Sequence, residues 1–231
     1  MTDTTIPILY EDSDVLVIEK PLGVLSEDAP NDTTSIPTLL SSHAQKGFPL
    51  VPITRLDRGV GGVMLLAKNK KSAAFLSAEV SDHQKCYKEY RAVVQGALAT
   101  DEGEMRDLLF KDSSKNKSFV VKKMRRGVRE ALLSYKTLSE KETEKGTISL
   151  VEIRLYTGRT HQIRVQFSSR GHALLGDGKY GGDSHYPLSL HAYRLSFLHP
   201  NGKRMTFLSE PPKNGAWVLF ENNTKERSYG V

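Results

Sequence analysis

Cysteine is almost missing from this chain: Cys86 is the only one in 231 residues, which excludes an internal disulfide and argues against export. Long apolar runs are missing too. DVLVIE and VMLLA stop far short of the ~20 residues that a membrane-spanning helix requires. The opening, MTDTTIPILYEDSD, is polar and acidic, with no basic start followed by an apolar stretch. No signal peptide is expected, and the protein reads as cytoplasmic. The seven histidines show no HxxxH or HExxH spacing, and there is no Walker or dinucleotide glycine pattern. Neither metal nor cofactor is therefore expected. With no internal repeat, low-complexity tract or long linker, residues 1–231 read as one domain with a core of about residues 9–210.

Charge is unevenly spread. The net charge is +6, yet residues 111–129, KDSSKNKSFVVKKMRRGVR, carry eight basic side chains against one acid and so exceed that total alone. A near-neutral body with a basic arm suits a partner whose backbone is a chain of phosphates, because phosphate contacts are local and additive. The same segment would also serve as a solvated hairpin that only aids solubility.

The pattern of elements points to α+β. VLVI at 15–18 reads as a strand broken by Pro21 and Gly23, and VMLLAK as a second buried strand. TTSIPTLLSSHAQKG reads as a helix capped by Thr34 or Ser35 and ended by Gly47, and NKKSAAFLSAEVSDHQ as one capped by Asn69. KCYKEYRAVVQG, residues 118–122, EALLSYKTLSE and TISLVEIRL read as strands, the last two separated by SEKETEKG. THQIRVQFSSRG reads as a short helix, and the Asn201-Gly202 turn as a hairpin centre. GAWVLFEN is left open between helix and strand. Strands outnumber helices without strict alternation, so a mixed, mostly antiparallel central sheet flanked by helices and loops is expected.

Three segments crowd polar residues where a structural loop would not need them. In ITRLDRGVGGVMLLAK, Asp57 lies between Arg55 and Arg58 in a glycine-rich loop. Flanking cations would keep the carboxylate ionised, which suits a nucleophile or electrostatic stabiliser better than a general acid. A bare RLDR describes a loop staple equally well. In LYTGRTHQIRVQF, Arg159, His161 and Arg164 gather at the entry to a helix, where anions are welcome. A lone histidine is also commonly structural. In KCYKEYRAVV, Tyr87 and Tyr90 fall on opposite strand faces, one free to stack on a base and the other packed in the core.

RLDRGVGGVMLLAK, KEYRAVVQG, TGRTHQIRV and GHALLGDGKYG, in this order, resemble the RluA-type family of pseudouridine synthases. EDSDVLVIEKPLGV and LHAYRLSFLHP extend the likeness from about Leu9 to Pro200. The resemblance implies an α+β catalytic fold with a cleft across its sheet. It implies isomerisation of uridine in ribosomal or transfer RNA, without cofactor or metal. Asp57 falls on the family's catalytic aspartate, Tyr90 on its active-site tyrosine, and Arg164 on the arginine that salt-bridges the aspartate. Arg55 falls on an arginine thought to hold open the base stack.

Lys20, Arg58, Arg159, His161 and the basic cluster Lys122, Lys123, Arg125 and Arg126 are the expected RNA contacts. No membrane and no obligate protein partner are implied. The separate N-terminal RNA-binding domain of many relatives is not expected, since family-like sequence starts within the first ten residues. Thr54 stands where the family has histidine, Val60-Gly61 where it has threonine-serine, and Ala173 where proline is common. These changes leave open how the Asp57 loop is braced. The alternative class is an RNA-binding or chaperone module that has lost activity. A nucleoside-cleaving hydrolase is a third, but only one acid lies in the motif core; Asp177 in LLGDGKYG is the nearest other candidate, and the resemblance implies a structural role for it.

Overall fold

Residues 15–18 are fully buried, as an apolar run with no polar alternation requires of a strand covered on both faces. The computed structural model describes residues 5–29 and 34–223. Their strands, in chain order, are β1 (Ile8–Glu11), β2 (Val15–Lys20), β3 (Val51–Pro52), β4 (Gly61–Ala67), β5 (Tyr87–Gln95), β6 (Glu102–Asp112) and β7 (Lys117–Val121). β8 (Val128–Thr143), β9 (Gly146–Leu155), β10 (Leu190–Leu198) and β11 (Arg204–Leu208) follow. One sheet runs β1-β2-β4-β10-β5-β9-β8-β6-β7, with β3 against β4 and β11 against β10. Among the described strands only β4 and β10 pair in parallel, so the expected mixed, mostly antiparallel α+β sheet is what forms.

That parallel crossing positions the site. Gly62 registers with Ala192, Ala192 with Tyr90, and Tyr90 with Ile153, so the chain after Asp57 is carried to the strand that bears Tyr90. Gly62 has φ 116°, and a Cβ there would fall 2.2 Å from the Ala192 carbonyl oxygen. Only glycine allows the two backbones to come this close. The core beneath the crossing contains Leu56, Val60, Met64, Ile153, Ile163 and Phe167, with Tyr90 packed on its edge.

Two helices fit their sequence signals. α2 (Lys70–Ser81) starts with the Asn69 side chain accepting the Ser72 N–H at 2.8 Å, and its Leu76 is buried with Val63, Leu65 and Phe197. α3 (Gln162–Ser168) is buried from Gln162 to Phe167. No described helix is long and apolar enough to cross a membrane.

Other segments differ from expectation. The helix anticipated over 34–47 is a single turn, α1 (Ile36–Leu39), capped by Ser35 and followed by a 3-10 turn at Ser41–His43. Serines compete locally for the backbone, and His43 and Gln45 are drawn to Glu11 and the Ser13 carbonyl. β1 and the eleven-residue β6 had no sequence signal. Glu, Asp and Lys are poor strand residues, and β6 is held by its partners β7 and β8. The SEKETEKG connection is a two-residue turn, because β8 runs on to pair Thr143 with Gly146. GAWVLFEN forms helical turns that bury Ala216 and Phe220.

Candidate active site

The loop carrying Asp57 is fastened on every side. The Ser26 hydroxyl donates to the Leu56 carbonyl at 2.8 Å and accepts the Leu56 N–H at 2.9 Å. Thr54, in the place of the family's histidine, accepts the Leu65 N–H through its buried hydroxyl. Val60 donates its N–H to the Asp57 carbonyl and buries its side chain. The Thr54 and Val60 departures are therefore absorbed by backbone bonds and burial.

Lys20 completes the brace, and here the structure corrects the expectation of an RNA contact. Its side chain is 1 % exposed, and Nζ donates to the carbonyls of Pro21 (3.0 Å) and Val60 (2.8 Å), with Arg58 at 3.5 Å. Burial draws its pKa down to about 8, partly opposed by the Asp57 charge. A charged residue at a strand end, next to a Pro-Gly break, reads as exposed. This one is pinned by carbonyls that turn inward.

Asp57 meets Arg164 from 107 positions away, not its own flanking arginines. Arg164 Nη1 donates to Asp57 Oδ2 at 2.9 Å. The other edge of the guanidinium is bidentate to Asp177, with Nε and Nη2 each 2.7 Å from a carboxylate oxygen. Asp177 is 1 % exposed and also accepts the Tyr180 N–H. Burial works against the Arg164 charge, but the hydrogen bonds and charges of Asp177 and Asp57 outweigh it and raise its pKa. A planar fork fixed on one carboxylate presents its remaining N–H in one direction, toward Asp57. Asp57 itself keeps a side chain 30 % exposed to solvent.

His161, expected as an RNA contact, turns toward Asp57. Its side chain is 8 % exposed and engaged within the protein, with Nε2 3.6 Å from Asp57 Oδ2 and Nδ1 2.9 Å from the Tyr180 hydroxyl. Tyr90 is close enough to feel the Asp57 charge, and burial first, then that charge, raises its pKa, so it stays a neutral phenol. Arg55 pairs at the surface with Glu27 at 3.1 Å, and Arg58 Nε donates to the Gly23 carbonyl at 2.8 Å. Arg159 is exposed and donates to the Glu130 carbonyl at 2.9 Å, at the foot of β8. Lys122, Lys123, Arg125 and Arg126 are all exposed in the β7–β8 connection, around Met124.

Sequence reasoning passed over Tyr180 and treated Asp177 as structural. Both sit in LLGDGKYG, where an acid and a tyrosine three apart beside close-packed glycines were the available signal: a Cβ at Gly176 would lie 2.0 Å from the Pro187 carbonyl oxygen.

Among the described residues one cluster, Asp12, Asp14 and His199, has the spacing to hold a cation. His199 Nδ1, however, accepts the Asn201 N–H at 3.1 Å, which leaves the ring proton on Nε2, 3.0 Å from Asp12. A metal would need the lone pair that this proton occupies.

A half-buried carboxylate held by a doubly anchored arginine, with a neutral tyrosine close enough to feel its charge, is the site that this mixed sheet builds. Residues 14–169 match the family model for RNA pseudouridylate synthase. An RNA pseudouridine synthase of Aquifex aeolicus, itself uncharacterised, is 37 % identical over 90 % of this chain and 70 % of its own. The ribosomal large subunit pseudouridine synthase D of Zymomonas mobilis is 34 % identical over 92 % of this chain and 71 % of its own. The solved structure of human RNA pseudouridylate synthase domain containing 4 superposes with TM-score 0.71 at 26 % identity, over 90 % of this chain and 89 % of that one. The chain belongs to the RNA pseudouridine synthase family, as an enzyme that isomerises uridine in RNA.

Proposed function

We propose that Asp57 is the catalytic carboxylate for pseudouridine formation in structured RNA of the cytoplasm, with ribosomal RNA the first substrate to test. The relative from Zymomonas mobilis is named for the large ribosomal subunit, which supports that choice. The observation that carries the reading is the Asp57–Arg164–Asp177 arrangement, in which one carboxylate is left facing the cleft and the other is spent on holding the arginine.

The reaction breaks the bond from the ribose to uracil N1, turns the base and rejoins it through carbon 5. N1 gains a proton and carbon 5 loses one, so no redox partner is required. An ionised Asp57 can stabilise positive charge on the ribose, attack it, or take a sugar proton. Neutral Tyr90 supplies a flat phenol against which the displaced base stacks. The target must first leave its stack, at a cost of a few kcal/mol. Arg55, at the mouth of the Asp57 loop, exchanges Glu27 for the vacated position. Arg58, Arg159 and the β7–β8 cluster take the flanking phosphates.

Tritium release from RNA labelled at carbon 5 of uridine tests the activity. Release without free uracil is expected, and free uracil would identify a hydrolase. Carbodiimide-stop mapping of ribosomal and transfer RNA from a deletion strain then identifies the target. Loss of a site only in transfer RNA would overturn the ribosomal assignment.

A further inference from the structure

The His161–Tyr180 pair beside Asp57 has no part in the reaction set out above, yet it is held from several sides. His161 caps α3 at φ 53°, a left-handed conformation that a residue with a Cβ adopts at a cost. Its ring is edge-on to Tyr180, with centroids 5.6 Å apart at 83°. The Tyr180 hydroxyl accepts the Ser118 N–H at 2.8 Å, and the Ser118 hydroxyl donates to the Thr160 carbonyl at 2.6 Å. β7 is thus tied to Tyr180 and to Thr160, the residue before His161.

These bonds point to where the imidazole protons lie. The Tyr180 oxygen takes the Ser118 N–H on one lone pair, and His161 Nδ1, 2.9 Å away, is placed to accept the hydroxyl's own proton. A neutral ring that accepts at Nδ1 carries its proton on Nε2. Nε2 is 3.6 Å from Asp57 Oδ2, the same oxygen that Arg164 holds at 2.9 Å. A separation of 3.6 Å is beyond hydrogen-bond range. It makes a charge–dipole contact of the kind that tightens when substrate closes a cleft.

We propose that His161 is a positioning residue for Asp57: a neutral imidazole, its tautomer set by Tyr180, whose Nε2–H steadies Asp57 Oδ2 and leaves Oδ1 to face the ribose. The proposal rests on Asp57 as the catalytic carboxylate. Neutrality matters, since a second full cation beside Arg164 would draw charge from the oxygen that must act on the sugar. Burial lowers the His161 pKa. Among the charges facing the ring, Asp57 and Asp177 raise it, Arg164 and Lys179 lower it, and the net shift is downward.

Two measurements test this. Ring-nitrogen NMR of the whole unaltered protein should show neutral His161 protonated on Nε2 at neutral pH. Tyr180→Phe should abolish that preference. A proton on Nδ1, or an imidazolium, overturns the proposal without reference to activity.

The second is single-turnover kinetics at saturating RNA. Gln places a side-chain N–H near the position of Nε2, whereas Asn places one near Nδ1. His161→Asn should slow the reaction by up to about 10²-fold, the scale of a misplaced reacting group, and His161→Gln should recover much of that loss. Stability should rank the other way, because Asn tolerates the left-handed backbone better. A purely structural role makes rate follow stability, with Asn the faster, and that order overturns the proposal. If Asp57→Asn stayed active, the reading of Asp57 would fail while the tautomer result stood.

Discussion

The wall of the cleft and the β7–β8 loop are both rich in cations, and they use them in opposite ways. In the wall, Arg164 is buried between Asp57 and Asp177 and Lys20 is buried among backbone carbonyls. In the loop, Lys122, Lys123, Arg125 and Arg126 are exposed, with Arg125 resting 4.9 Å over the Phe110 ring. A buried cation with a full set of partners fixes geometry, and its removal leaves unpaired charge. An exposed cation keeps its side-chain freedom until phosphate arrives, and it acts additively. Catalysis requires the first kind, and gripping a polyanion of varied shape requires the second.

The largest effect expected from breaking this contrast is at Arg164. Arg164→Met strands two carboxylates, one of them fully buried, and should cost about 3–5 kcal/mol, visible as a lower denaturation midpoint together with lost turnover. Unchanged melting would show that the wall does not depend on this arginine. Next in size is Lys20→Met. It leaves the Pro21 and Val60 carbonyls without their donor and should cost roughly 1–3 kcal/mol, again by denaturation. Its RNA affinity should hold, which distinguishes a brace from a phosphate contact.

The sharpest contrast comes from changing Lys122, Lys123, Arg125 and Arg126 together to Gln. Stability should barely move, because exposed charges contribute little. The slope of log affinity against log salt should flatten by about 2–4, at roughly 0.7–0.9 per phosphate contact, and every RNA should weaken alike. An unaltered slope would return the loop to a solvated hairpin.

The same division explains what the sequence made legible. The Asn69 cap, the buried β4 and the Asn201-Gly202 hairpin follow from local rules, and local rules found them. β6 was invisible because its acidic and basic residues lack strand preference, and distant partners hold them: β7, β8, and Gln166 and Arg170 on Asp107. Asp57 and Arg164 were paired through the family likeness, since nothing local links residues 107 positions apart. Lys20 was misjudged because charge predicts exposure, and only the inward carbonyls of the Asp57 loop reverse that. Asp177 appeared structural, and so it is, but the group it holds is Arg164.

One substitution bears most directly on the central claim that Asp57 carries the chemistry. Asp57→Asn keeps the shape and removes the charge, and the side chain is exposed enough for the fold to tolerate it. Single-turnover conversion of uridine at saturating RNA should be abolished, with RNA affinity little changed, because the phosphate contacts lie elsewhere. Conversion at more than a few per cent of the original rate would contradict the assignment of Asp57 as the catalytic carboxylate.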